Sequence, residues 1–511
     1  MNTIGEKIWN WLTAQETMLL SSPVAVENLP TGFSSTAWQL EEPIFKLPTG
    51  DTWTIADACQ GVLVLGATGS GKSSGSADAL ARKFLNLGAG GLVLCVKTGE
   101  ADYWQELARL CGRENDILRI TEKDHGFNVF DYELRRCGRG AGLTMNLVFL
   151  FRQLQDLVDA KGGSKMSPDF WERACIRCIS NAIALQAALD EPFTLMGVSS
   201  IISSAPRVLG MVKNADWQSK SPCARACKNA LEKTPNDFEI QRAVQYFLVD
   251  VPQMGDKQRA GIFETWEGLA DPLLRTPLRQ KFCEQTTWTP EDAIQNGKII
   301  VIDLPVKEFD FAGKMAGVIS KFMFQKAVER RLVGDEKTRR PCFVWADEFE
   351  NFATSYDNMF QKTARSSKAS TVYIGQNIPG ILACLGGTSG DPYMKALLGN
   401  LTTQIFHANA EEGTNRYAAE AIGKDWQLRR SLSAGESHQR LAPAFSGSSS
   451  SNASMNEQLD YLVQPIEFTQ LKTGGSRNER IVECFFFQAS RTFNDGYNFV
   501  PGYFTQRERK P

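Results

Sequence analysis

The sequence lacks both an excess of one charge and a long hydrophobic run. Its 56 lysine and arginine residues nearly balance its 58 aspartate and glutamate residues, for a net charge of −2. A nucleic-acid partner would therefore meet a local basic patch or the lumen of a ring, since the protein has no strong overall field. No stretch approaches the roughly 18–20 consecutive apolar residues that span a bilayer. We expect a cytoplasmic protein, with recruitment to the inner membrane through a partner left open.

The sequence also lacks a disulfide framework and a histidine cluster. Its twelve cysteines have no regular spacing, and its three histidines are dispersed. Scattered cysteines without a signal peptide are typical of reduced thiols in a cytosol. Cys175/Cys178 and Cys223/Cys227 have spacings that a zinc site can use, but both pairs lie in stretches with helical periodicity. We expect structural cysteines, with zinc as the alternative.

What the sequence does contain is a complete phosphate-binding loop. Residues 61–75 read Gly-Val-Leu-Val-Leu-Gly-Ala-Thr-Gly-Ser-Gly-Lys-Ser-Ser-Gly and match the pattern G-x-x-x-x-G-K-[ST]. Lys72 is expected to reach the β- and γ-phosphates of ATP, and the Ser73 hydroxyl to hold Mg²⁺. A chance glycine-rich turn is the alternative, disfavoured because a buried strand precedes the loop and a helix follows it. The expected nucleotide-binding residues are Gly66, Ala67, Thr68, Gly69, Ser70, Gly71, Lys72, Ser73 and Ser74.

Short apolar runs alternate with helical patterns around this loop, which predicts an α/β fold with a parallel sheet covered on both faces. Residues 1–50 contain four prolines and are predicted to be an irregular arm. The nucleotide-binding domain is expected in two parts, 51–139 and 286–511. Residues 140–285 have helical patterns without a convincing strand and are predicted to be an inserted all-α domain. The Ser-rich stretch 430–458 is predicted to be a mobile loop.

A second half of an NTPase site is predicted where a buried strand ends in two acids. Asp347 is expected to hold the hydration shell of Mg²⁺, and Glu348 to polarise the attacking water. Asp303 also ends a strand and is the alternative magnesium acid, although Leu304 and Pro305 follow it instead of a second acid. A helix N-cap followed by a first-turn acid is the structural alternative for Asp347 and Glu348.

Gln376 and Arg365 are two further catalytic candidates. Gln376 ends an apolar strand, so it is expected at the edge of the sheet where ligands bind, facing the γ-phosphate. Arg365 precedes that strand, and in a ring of subunits it would reach the γ-phosphate of a neighbour. A surface glutamine and a solvated arginine are the structural alternatives.

The ordered combination of these motifs resembles the type IV secretion coupling proteins, the TraD/TraG-like ATPases of the FtsK–HerA superfamily. The matching segments, in family order, are 66–73, 92–100, 127–130, 344–349, 365–376, 398–423 and 465–468. The sequence departs from the family in three ways. No segment is predicted to be the membrane-spanning amino terminus of the family, Cys95-Val96-Lys97-Thr98 stands where the family has Asp before Lys-Gly-Glu, and no proline follows Asn128.

The resemblance implies a RecA-like P-loop NTPase domain with an inserted all-α domain, and a hexameric ring motor that uses ATP and Mg²⁺ to move or deliver DNA. It also implies secretion or conjugation machinery as partners, with a relaxase or an adaptor protein. A receptor platform for protein cargo and a regulatory ATPase in a mobile-element or defence system are the alternative functions. Basic clusters such as Arg135/Arg136/Arg139 and Arg330/Arg331 could meet DNA phosphates, but such runs are usually solvated.

Overall fold

A mixed, mostly parallel sheet forms the centre of the protein. The computed structural model describes residues 24–28, 38–159, 168–189, 193–331, 339–384, 387–436 and 449–507. The strands in this part of the chain are β1 (Val24–Ala25), β2 (Glu27–Asn28), β3 (Pro43–Lys46), β4 (Thr52–Thr54), β5 (Val62–Leu65), β6 (Gly90–Leu94), β7 (Ile117–Ile120), β8 (Ile299–Ile302), β9 (Cys342–Ala346), β10 (Ala369–Gly375), β11 (Thr403–Phe406), β12 (Lys424–Glu436), β13 (Ser449–Tyr461), β14 (Ile481–Gln488) and β15 (Phe499–Thr505).

The central sheet has ten strands in the order β1-β15-β14-β11-β5-β10-β9-β6-β8-β7. The seven strands from β11 to β7 are parallel to one another, whereas β14 is antiparallel to both β11 and β15. The carboxyl ends of β5, β9, β10 and β11 therefore meet at one edge, which is where open α/β sheets bind ligands. Strand β10, which leads to Gln376, lies between β5, which leads into the phosphate loop, and β9, which leads to Asp347 and Glu348. Strand β6, which follows the loop in the chain, lies on the other side of β9.

Helices cover both faces of this sheet, and further helices pack on one another between β7 and β8. The helices of the described residues are α1 (Ile55–Ala58), α2 (Ser76–Asn86), α3 (Glu100–Leu110), α4 (Val129–Arg135), α5 (Thr144–Asp159), α6 (Pro168–Ala187), α7 (Leu195–Ser203), α8 (Leu209–Val212), α9 (Ala215–Lys220), α10 (Pro222–Lys233), α11 (Phe238–Gln245), α12 (Val251–Gln253), α13 (Asp256–Leu274), α14 (Leu278–Phe282), α15 (Pro290–Ile294), α16 (Val306–Arg330), α17 (Tyr356–Ala364), α18 (Ile378–Ala383), α19 (Gly387–Asn400) and α20 (Glu412–Ile422). A π-helical turn, Tyr246–Asp250, joins α11 to α12.

Side chains of the central strands alternate between two apolar cores. Val62 and Val64 of β5 pack with α1, α2, α3 and the small sheet β2-β3-β4, whereas Leu63 and Leu65 join the core that includes α4 to α7 and α10 to α20. Such alternation is the period-two pattern of a sheet buried on both faces. The α/β prediction follows from the same short apolar runs.

Helices α5 to α14 follow one another between β7 and β8 without a strand in the described part of this stretch. Several of these helices begin at polar N-cap residues, whose side chains accept hydrogen bonds from backbone amides of the first turn. The Ser221 hydroxyl accepts from Ala224 N at 3.2 Å, and Pro222 occupies the first helical turn. Asp237 caps α11 by accepting from Glu239 N at 2.8 Å. Such caps contribute about 1 kcal/mol each.

Two segments that were predicted to be irregular contain strands. β12 and β13 pair antiparallel from Lys424↔Tyr461 to Glu436↔Ser449, so the predicted loop 430–458 is wrong where these strands lie. Their ladder is made by backbone groups, which the polar composition does not prevent. Residues 437–448 lie outside the described part of the chain.

The predicted arm 1–50 likewise contains β1, β2 and β3. Phe45 and Trp53 of the small sheet stack at 5.7 Å, and Trp53 contacts Phe486 of the central sheet edge-on at 6.0 Å. These aromatic contacts attach the described part of the arm to the core, which proline content alone did not indicate. Residues 1–23 and 29–37 lie outside the described residues. None of the helices described in the structure is long and apolar enough to cross a membrane.

Candidate nucleotide site

The glycine-rich loop between β5 and α2 has a backbone that only glycine adopts easily. Gly69 and Gly71 have φ values of 80° and 84°, in the left-handed region. A Cβ on Gly71 would lie 2.7 Å from Val482 Cγ2 and 2.8 Å from Thr473 O. The loop is therefore held between the first turn of α2 and the edge formed by β14, and its shape excludes a side chain at position 71.

Polar groups of this loop fit a phosphate. Ser70 is 2% exposed, and its Oγ has no hydrogen-bond partner among the described residues. Lys72 Nζ donates to Ala67 O at 3.4 Å, and burial lowers the pKa of Lys72 against the opposing effect of Asp347. A buried hydroxyl without a partner and a buried ammonium are groups that an anion would satisfy.

The carboxylate that ends β9 lies directly beside the loop. Ser73 Oγ donates to Asp347 Oδ2 at 3.1 Å, which joins positions 274 residues apart in the chain. Hydroxyl and carboxylate oxygens are the hard ligands that Mg²⁺ prefers, so this pair fits the predicted metal position. The alternative acid, Asp303, accepts from Arg119 Nε at 2.6 Å instead.

Glu348 follows Asp347 in an unusual backbone conformation. It has φ 49° and ψ 52°, and its amide donates to Asp347 Oδ1 at 2.9 Å. A left-handed conformation in a residue other than glycine is strained and often marks a functional site. The sequence did not indicate this strain.

Lys97 and Glu100 lie at the same site, and sequence reasoning missed both of them. Lys97 Nζ lies 2.7 Å from Glu348 Oε1. Glu100 Oε2 accepts from Val96 N at 2.7 Å, and burial together with the nearby Asp347 raises the pKa of Glu100 to about 7. Both belong to the segment 92–100 that carries part of the family resemblance, which was the available signal.

A cavity of about 240 Å³ opens beside these acids. Ser73, Lys97, Glu100 and Asp347 line its polar side, and Trp104 and Trp345 are among the residues on its apolar side. Burial, with the charges of Glu348 and Asp347, also raises the pKa of Glu350. The site thus combines two lysines with several closely spaced carboxyl groups, an arrangement that a divalent cation would stabilise.

Gln376 follows β10 and contacts the phosphate-binding loop. Thr68 Oγ1 donates to Gln376 Oε1 at 3.3 Å, and Asn409 Nδ2 donates to the Gln376 carbonyl at 2.8 Å. The structure therefore places Gln376 beside the loop, as the strand order requires.

Arg365 lies at the other edge of the sheet. It is exposed at the end of α17, before β10 begins. The seven residues of β10 separate it from Gln376, a length of about 23 Å at about 3.3 Å per residue. Within one chain, Arg365 is not brought to the site.

His407, at the end of β11, is a buried group behind the loop that sequence reasoning missed. Its Nε2 lies 2.7 Å from Ser76 Oγ at the start of α2, and its Nδ1 lies 2.9 Å from Glu483 O. Because a carbonyl oxygen only accepts, Nδ1 carries the proton and Nε2 accepts from the Ser76 hydroxyl. Burial lowers the pKa of His407 to about 4. The neutral ring therefore connects the helix after the loop to β14.

A wholly buried network lies next to Glu348 along the chain. Lys321 pairs with Asp357, and neither side chain is exposed. Tyr373 OH donates to Asp357 Oδ1 at 2.7 Å, and the Tyr373 ring stacks on Phe349 at 3.8 Å. Phe349 follows Glu348, and Tyr373 lies in the strand that leads to Gln376. The network therefore joins the backbone of both candidate catalytic segments.

The basic clusters do not present a row of unpaired cations. Glu133 accepts from Arg330 at 2.8 Å and from Arg136 at 2.9 Å, and Arg331 Nη1 donates to Arg340 O at 2.8 Å. These arginines connect helices and loops within the chain. Among the described residues, no group of three or more His, Cys, Asp or Glu side chains could hold a metal ion by itself.

Comparisons with known proteins agree with this architecture. Residues 341–473, which include Asp347, Glu348, Arg365 and Gln376, match the family model of the TraM recognition site of TraD and TraG. The predicted resemblance to the TraD/TraG-like coupling proteins is confirmed. No protein of curated function matches the sequence significantly.

Solved structures of a coupling protein share the fold over nearly the whole chain. The plasmid coupling protein TrwB in complex with ADP and Mg²⁺ has 13% sequence identity and a TM-score of 0.59, covering 96% of this chain and 96% of that chain. The unbound bacterial conjugative coupling protein TrwBΔN70 has 14% identity and a TM-score of 0.56, covering 94% and 92%. The predicted RecA-like P-loop NTPase fold with a helical insertion is therefore confirmed.

Proposed function

We propose that this chain is a Mg²⁺-dependent ATPase. The observation that carries the proposal is the 3.1 Å hydrogen bond from Ser73 to Asp347, with Glu348 next to it. The loop amides and Lys72 would bind the phosphates, and Ser73 and Asp347 would hold Mg²⁺, which neutralises charge on the phosphates. Glu348 would orient a water whose oxygen bonds to the γ-phosphorus as the bond to the oxygen of ADP breaks, and would accept the water proton.

We further propose that the chain acts as a ring motor that moves or delivers DNA. The position of Arg365 supports a ring, since this exposed arginine lies far from the site of its own chain and only a neighbouring subunit could use it in trans. A hexamer with DNA in its lumen would follow the coupling proteins it resembles. In this ring Gln376, bonded to Thr68, would respond to the γ-phosphate.

The family-model match favours a second, compatible function. The matched model describes the TraM recognition site of TraD and TraG, and this supports a partner-receptor role for residues 341–473. An adaptor or relaxase of a conjugation machine would be the partner, and recruitment to the inner membrane would follow from that contact. Binding of such a partner with ATP turnover too slow for transport would favour a receptor platform over a motor.

The test of the ATPase proposal is steady-state ATP turnover with and without DNA. Lys72→Ala should abolish nucleotide binding, whereas Glu348→Gln should retain binding and lose at least about 100-fold in kcat, the usual contribution of a general base. Asp303→Asn is the matched control. Because Asp303 pairs with Arg119 and not with Ser73, this substitution should leave turnover nearly unchanged. Wild-type protein without ATPase activity in either condition would overturn the proposal.

A further inference from the structure

Lys97 contacts the carboxylate that is proposed to orient water. Its Nζ lies 2.7 Å from Glu348 Oε1, and its side chain is 51% exposed whereas that of Glu348 is 11% exposed. A half-exposed lysine remains partly solvated and changes rotamer at low cost, but a buried carboxylate on a strained backbone does not. Of the two partners, the lysine is therefore the one able to leave the pair.

The backbone beneath Lys97 is held from several directions. Val96 N donates to Glu100 Oε2 at 2.7 Å, and Lys307 N donates to Val96 O at 2.9 Å. Thr98, the residue inserted relative to the family pattern, donates its hydroxyl to Glu308. A movement of Lys97 would therefore involve its side chain and leave this loop in place.

Lys97 also lines the cavity that Ser73 and Asp347 line. The terminal phosphate of a nucleotide held by Ser73 and Lys72 would enter this same space. A terminal phosphate bears more negative charge than a carboxylate and more acceptor oxygens. Since one ammonium cannot pair fully with both, the phosphate and Glu348 would compete for Lys97.

We propose that Lys97 restrains Glu348 through their ion pair before nucleotide binds. When MgATP binds, the Lys97 ammonium leaves Glu348 and pairs with the terminal phosphate, and Glu348 is then free to orient water. This inference rests on the proposed ATPase function. It makes Lys97 a positioning residue for Glu348 and a group that distinguishes ATP from ADP, because ADP lacks the phosphate that competes.

The test is equilibrium binding, with Mg²⁺, of a non-hydrolysable ATP analogue and of ADP to four proteins: wild type, Lys97→Ala, Glu348→Gln and the double variant. Glu348→Gln removes the competing carboxylate and should tighten binding of the ATP analogue by about fivefold, the scale of a partly exposed ion pair. In the Lys97→Ala background the same change should give less than about twofold. ADP affinity should stay within about twofold throughout.

Two further variants distinguish a local role from a general loss of fold. Lys97→Arg keeps the positive charge, so Glu348→Gln should still tighten binding of the ATP analogue in the Lys97→Arg background, unlike in the Lys97→Ala background. Lys220→Ala removes an exposed lysine that pairs with Asp216 at 2.7 Å on α9, and should not affect nucleotide affinity. Equal tightening with and without Lys97, or equal tightening for ADP, would overturn the inference while wild-type ATP turnover keeps the proposed function. A wild type that binds neither nucleotide would overturn both.

Discussion

Replacing Lys321 should be among the most destabilising single changes in the chain. Its ammonium pairs with Asp357, and both side chains are fully buried. Removing one partner of a buried ion pair leaves the other charge uncompensated, at a cost of about 3–5 kcal/mol. Asp357 would keep four other donors: Thr354 N at 2.8 Å, Thr354 Oγ1 at 3.4 Å, Gln325 Nε2 at 3.0 Å and Tyr373 OH at 2.7 Å. We therefore expect Lys321→Met to cost about 3 kcal/mol, near the lower limit.

The assay is urea unfolding monitored by circular dichroism, and it includes a double variant and a matched control. Lys321→Met/Asp357→Leu removes both charges, so its cost should fall well below the sum of the two single changes. Lys326→Met lies on the same helix, where Lys326 is 29% exposed and pairs with Glu329, and should cost below about 1 kcal/mol. A Lys321→Met cost equal to that of Lys326→Met, or additive costs in the double variant, would refute the reasoning.

Two further predictions concern the loop and the histidine behind it. Gly71→Ala should abolish nucleotide binding, because φ 84° and the approach of Thr473 O exclude a Cβ and the loop would have to change shape. The chain should stay folded; a binding assay measures the first effect and circular dichroism the second. Burial lowers the pKa of His407 to about 4 in the folded protein, below the unfolded value of about 6.5. The neutral ring's full contribution to the free energy of unfolding should therefore be present above pH 6.5 and be lost as the pH drops towards 4. At pH 5 the loss should be about 2 kcal/mol, and urea titrations of His407→Gln, whose side chain cannot titrate, should lack it; an unchanged pH dependence would contradict the assignment.

The central elements of the fold were predictable because their signals are local. Val62–Leu65, Cys342–Ala346 and Ala369–Gly375 are apolar runs too short for helices, and each leads into turn or polar residues. Such runs predict buried parallel strands. The strand part of 430–458 and the small sheet that holds Phe45 and Trp53 were not predictable in this way. Their pairing depends on partners elsewhere in the chain, and their composition is that of loops.

The sequence by itself determined the phosphate-binding loop and the paired acids, because those functions require particular residue types at short spacing. Glycine is needed at position 71 for its backbone, and adjacent carboxyl groups are needed at the end of one strand. Only the tertiary structure decided that Lys97 contacts Glu348, that His407 contacts Ser76 and that Arg365 lies at the far edge of the sheet. The physical reason is the order of the strands: β5, β6, β9, β10 and β11 come from distant parts of the chain, and their alignment selects which side chains meet.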